Sequence, residues 1–137
     1  MSAVAGAGPE REEALAERRA EEPRASAELT RKIARIADEK QGEELVALDV
    51  RELVAYTDYL LLVTARNERL AKAIHDEVYA RLKAEGRLPA RVEGEREARW
   101  VLLDYLDCVV HLFVPETRER YRLDRLWGEA ERLELGL

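Results

Sequence analysis

Four aspartates, Asp49, Asp58, Asp104 and Asp107, lie in or beside the apolar runs of the chain. Carboxylates gathered on a sheet can hold a divalent cation for phosphoryl transfer. Asp49, Asp58 and Asp104 are the set a metal-dependent nucleotidyltransferase or phosphotransferase would use. Aspartate also ends strands and opens turns through side-chain to backbone hydrogen bonds. Asp58 after Thr57, and Asp107 in a hairpin turn, suit that second role, which is the expected one. Cys108 and His111 are three residues apart, as in many zinc pairs. On a strand that odd offset sends them to opposite faces, which also leaves the thiol without a neighbouring base. Cys108 therefore reads as a small core residue and His75 as a surface residue. Serine occurs only at Ser2 and Ser26, so no serine triad is available, and the seven glycines form no phosphate-binding loop. No metal or cofactor is expected.

The elements that must position these residues begin after residue 26. Ser26 is a candidate N-cap, and Leu29, Ile33 and Ile36 recur at helical spacing, predicting a helix over Ala27–Lys40 that ends near Gly42. Leu45–Val50 suits a strand. Tyr59–Thr64 is apolar throughout, as a strand covered on both faces would be. Leu70, Ile74, Val78 and Leu82 make one stripe of a second helix over Asn67–Glu85, stopped at Gly86. Arg91–Glu93 is a brief edge strand, and Gly94–Glu97 a turn. Trp100–Tyr105 and Cys108–Val114 form a hairpin about Leu106-Asp107. A last helix spans Glu116–Trp127, with Tyr121 and Leu126 toward the core and Gly128 as its cap. The order is α-β-β-α-β-β-β-α, an α/β fold with a single mixed β-sheet and flanking helices.

The hairpin register sorts side chains onto two faces. With Tyr105 opposite Cys108, one face carries Trp100, Leu102, Asp104, Val109, His111 and Phe113. The other carries Val101, Leu103, Tyr105, Cys108, Val110 and Leu112. Helices can cover one face, and few remain for the second. The Trp100 face is therefore expected to be exposed, with the composition of a protein interface.

One domain fits the 137 residues. The net charge is -6, which argues against broad nucleic-acid binding and says nothing against a basic protein partner. Residues 28–127 hold 20 acids and 18 bases, so the excess charge sits in the ends. Residues 1–27 contain only Val4 and Leu15 as large aliphatics and read as a disordered or weakly helical tail. Their six Glu against four Arg argue against a transit peptide. Residues 128–137 read as a C-terminal tail. The single cysteine permits no internal disulfide, and no apolar run suits a membrane helix.

An ordered set of segments then stands out: Ala47-Leu48-Asp49-Val50, Thr57-Asp58-Tyr59, Glu93-Gly94, Trp100 to Asp104, Asp107, Val110 to Phe113, Glu116-Thr117-Arg118, Tyr121 and Leu126-Trp127. Over residues 28–127 the chain resembles the ribosomal silencing factor family RsfS, also called Iojap. The resemblance implies a nucleotidyltransferase-like fold without enzymatic activity. It implies a cytoplasmic repressor of translation that binds the large ribosomal subunit through ribosomal protein L-fourteen and blocks subunit joining. It also implies a possible homodimer, with no membrane and no sequence-specific nucleic acid as partner. The hairpin face with Trp100, Leu102, Asp104, Val109, His111 and Phe113 is the expected partner-binding surface. Two departures are visible. Leu106 stands where the family usually has a small residue, and Ala65 to Leu70 lacks the family's usual helix-start pattern.

Overall fold

The structure is a computed structural model that describes residues 9–14, 25–122, 125 and 128–137. Helix α1 is Ala25–Glu39, β1 is Glu43–Asp49, β2 is Tyr59–Thr64 and α2 is Glu68–Ala84. They are followed by β3 (Arg91–Glu93), β4 (Trp100–Asp104), β5 (Cys108–Phe113), α3 (Pro115–Tyr121) and β6 (Glu131–Arg132). Residues 9–14 form a further short helical stretch. The sheet has six strands in the order β3-β4-β5-β2-β1-β6. The β2/β5 pair is parallel, and the other four pairs are antiparallel. Helix α2 makes the crossover from β2 to the far edge strand β3. The α/β reading with one mixed sheet holds, with β6 as an added edge strand inside the stretch expected to be a tail.

Helices α1 and α2 cover one face of the sheet. Leu29, Ile33 and Ile36 of α1 and Ile74, Val78 and Leu82 of α2 pack on Leu61, Val63, Val101, Leu103, Val110 and Leu112. Burying these stripes is what holds the helices, because amphipathic helices of this length are marginal alone. The opposite face carries a second apolar cluster, in which Leu48, Leu60, Leu62, Leu102, Val109 and Phe113 are buried. Strand β2 feeds both clusters, which explains its uninterrupted apolar run.

Asn67 caps α2, its side chain accepting from the Leu70 amide at 2.9 Å. At the end of α1, Gln41 rather than Gly42 adopts the left-handed conformation, with φ 67°. Helix α3 starts at Pro115 and stops at Tyr121, short of the expected Trp127. Arg122 takes the left-handed C-cap position and donates its amide to Arg118 O, which closes the helix. Tyr121 is consequently 48% exposed rather than turned into the core. Leu126 and Trp127 lie outside the described residues.

Candidate functional site

The hairpin forms in the expected register. Trp100 pairs with Phe113, Leu102 with His111 and Asp104 with Val109. Tyr105 N donates to Cys108 O at 3.0 Å. Trp100, Leu102, Asp104, Val109, His111 and Phe113 therefore share one face, away from α1 and α2. The expectation of open exposure does not hold. Leu102, Asp104, Val109 and Phe113 are 0% exposed and His111 is 4% exposed. Trp100 alone among the six is half-buried. Val46, Val54, Tyr56 and Ala130 pack against this second cluster. The loop from β1 to β2 and the C-terminal stretch thus supply cover that strand counting did not anticipate.

Trp100 organises the accessible end of the face. Its Nε1 donates to His111 Nδ1 at 3.0 Å. Its ring lies 4.8 Å from that of Tyr121, 5.9 Å from that of His111 and 6.0 Å from that of Phe113. Because His111 Nδ1 accepts, the neutral ring carries its proton on Nε2. Burial pushes the His111 pKa down to about 4, against the opposing pull of the Asp104 charge. A cavity of about 510 Å³ opens beside this cluster, lined by Arg99, Trp100, Glu116, Thr117, Arg120 and Tyr121.

The buried carboxylate of Asp104 is met by Arg11. Arg11 Nη1 donates to Asp104 Oδ2 at 2.5 Å and Nη2 donates to Oδ1 at 2.7 Å. Arg11 Nε donates to Tyr56 O at 3.0 Å. Asp104 Oδ1 also accepts from the Leu106 amide at 2.9 Å. The acid thus serves its own turn and binds a fork of donors in the bidentate geometry that makes such pairs strong. Sequence reading missed Arg11, since nothing distinguishes it from the other three arginines of the first 27 residues.

The carboxylate set of the enzyme reading is dispersed. Asp49 pairs with Tyr59, on the α1/α2 face, whereas Asp104 pairs with Val109 on the other. Strands β1 and β4 are three steps apart in the sheet, about 14 Å. Asp49 is held by Arg51 through Nε at 3.0 Å and Nη2 at 2.7 Å. Asp58 lies buried at the entry to β2, its carbonyl accepting from Val50 N at 2.9 Å. Among the described residues no group of three His, Cys, Asp or Glu side chains is placed to hold a metal.

Cys108 and His111 point to opposite faces, as the strand parity requires. Burial drives the Cys108 thiol up to about 12, so it is no nucleophile. His75 departs from expectation: it is buried on α2, 8% exposed, with Nδ1 2.9 Å from Asp76 Oδ1 and its ring against Tyr79.

The face just described belongs to a region that matches a family model over residues 23–136, the model of a ribosomal silencing factor during starvation, RsfS. The chain belongs to the RsfS family. A Halalkalibacterium halodurans protein named ribosomal silencing factor RsfS is 35% identical over 108 residues, covering 79% of this chain and 92% of that one. A Mus musculus protein named mitochondrial assembly of ribosomal large subunit protein 1 is 29% identical over 92 residues, covering 65% of this chain and 40% of the relative. A crystal structure of a Chromobacterium violaceum protein superposes with a TM-score of 0.72 at 28% identity, covering 74% of this chain and 85% of the other. Those descriptions are of a ribosome-associated regulator, not of an enzyme.

Proposed function

We propose that this chain binds the large ribosomal subunit through ribosomal protein L-fourteen and, seated at the joining face, keeps the small subunit from docking. The family match over residues 23–136 is the observation that carries this reading. The geometry supports a binding role over a catalytic one. Trp100, Tyr121 and the cavity beside them offer an aromatic anchor point with charged residues around it, the composition of an interface centre and rim. Occlusion needs no chemistry: a standard contact of about 800 Å² per partner holds a small protein in place. The net charge of -6 suits a basic ribosomal surface. A protein acting this way works in the cytoplasm, and no helix among the described residues is long and apolar enough to cross a membrane.

Sucrose-gradient sedimentation of separated subunits, with and without added protein, tests the proposal. Joined ribosomes should fall as the protein cosediments with the large subunit. Unchanged joining at saturating protein sinks the occlusion reading. Self-pairing through the same face is the competing use, and light scattering with and without large subunits separates the two.

A further inference from the structure

The contact between Arg11 and Asp104 joins residues 93 positions apart in the chain. It places residues 9–14 over the same face that carries Trp100, Leu102, His111 and Phe113. Asp104 has a side-chain exposure of 1%, and Arg11 of 18%. A carboxylate this buried needs a cation or a set of donors, since an unpaired buried charge is costly. Arg11 spends its Nε and both terminal nitrogens here, two on Asp104 and one on Tyr56 O. Of the other described residues of the stretch, Pro9, Glu10, Glu12 and Glu13 are exposed, and Ala14 is half-buried. Among the described residues of the stretch, Arg11 is thus the one whose side chain reaches into the face. Such an attachment is specific in position, and its strong contact is one that an incoming cation can take over without leaving Asp104 unpaired.

We propose that residues 9–14 are a tethered occupant of the docking face, fastened by Arg11 to Asp104, and that a partner binds by displacing them and presenting its own cationic side chain to Asp104. The inference rests on the proposed ribosomal function, in that the displacing partner is a basic surface of the large subunit. A site that is partly self-occupied binds with an affinity reduced by the open fraction. The attachment therefore sets a threshold that only a high concentration of partner, or a partner with several cations, overcomes. It also keeps an acidic carboxylate and its apolar surroundings from being offered to other molecules.

The test compares the affinity of purified large subunits for the full-length wild type, Arg11→Ala, Arg11→Lys and Asp104→Asn, with thermal melts of each protein. Arg11→Ala should bind about tenfold more tightly, because the occupant is unfastened and the acceptor is intact. Arg11→Lys keeps the charge without the fork and should fall between Arg11→Ala and the wild type. Asp104→Asn should bind more weakly than Arg11→Ala, since it removes the acceptor for the partner's cation. Equal or weaker binding by a folded Arg11→Ala overturns the tethered-occupant proposal and leaves the ribosomal reading standing. If Arg11→Ala unfolds, Arg11→Lys decides by the same comparison. Absence of binding by every variant removes the ribosomal reading and this inference with it.

Discussion

His111 shows how one residue ties the face to solution conditions. Its ring accepts from Trp100 and sits where the charged form is disfavoured, with a pKa down at about 4 against an ordinary value of 6.5. Between those two values the unfolded chain binds a proton that the folded chain refuses, so stability falls as pH drops through this window. The loss is complete below the folded value and is of the order of 3 kcal/mol. Melting temperature should therefore decline as pH is lowered from 6.5 toward 4, and more steeply for the wild type than for His111→Gln, which keeps an acceptor for Trp100. Parallel pH profiles for the two proteins would show that His111 is not held neutral by burial. Two turn residues give opposite expectations. Gly94 has φ 75°, and an added Cβ would lie 2.0 Å from Trp100 O. Gly94→Ala should cost several kcal/mol, read as a lowered denaturant midpoint. Leu106 adopts φ 70°, a conformation that costs a side-chain-bearing residue roughly 1–2 kcal/mol. Leu106→Gly should raise the midpoint, by under about 1 kcal/mol after the extra entropy of the unfolded chain is subtracted.

At the scale of elements, the helices are held by their buried stripes and trimmed by their ends. Asn67 satisfies an amide of the first turn of α2 that the helix itself cannot. Asn67→Ala should cost about 1 kcal/mol by thermal or denaturant unfolding, and Asn67→Asp should restore it. No loss in the alanine variant would mean that packing of Ile74, Val78 and Leu82 alone fixes the start of α2. Strand β6 extends the sheet past β1, with Leu48 opposite Arg132 and Asp49 opposite Glu131. Leu133 N donates to Ala47 O at 2.9 Å, and Leu133 and Leu135 pack against the main cluster. The pairing covers an edge that would otherwise present free amides and carbonyls.

For the whole molecule, the useful contrast is between losing the anchor and losing the fold. Trp100 is half-buried and donates to a buried histidine, so Trp100→Ala leaves His111 Nδ1 without its donor. We expect a folded variant destabilised by about 1–3 kcal/mol, with at least tenfold weaker binding to large subunits. Trp100→Phe keeps most of the apolar area and should recover part of the binding but not the hydrogen bond. Circular dichroism melts beside cosedimentation decide this: full binding by a folded Trp100→Ala would put the docking surface elsewhere. Charge acts on the same scale. Reversal of Glu116, which is exposed and within 3.6 Å of Arg99, should change association rate and salt dependence more than dissociation.

The sequence by itself determined the order of the elements from α1 to α3, the β2 run, the hairpin register and the division of β4 and β5 into two faces. These follow from local rules: a side-chain period of two on strands and of 3.6 on helices, with turns at Gly94 and Asp107. It also determined that Cys108 and His111 cannot share an ion, because parity is local. Only the tertiary structure decided what covers each face. That Tyr56, Ala130 and Arg11 come to the Trp100 face depends on contacts far apart in sequence, which no periodicity encodes. It also decided that His75 is buried and Tyr121 exposed, since a helix's orientation against its neighbours is set by packing. The end of α3 was illegible for a different reason: it turns on the left-handed conformation of Arg122, a residue type that gives no such signal. Asp104 could be placed on its face by counting, but the cation that meets it lies 93 residues away, and only folding brings the two together.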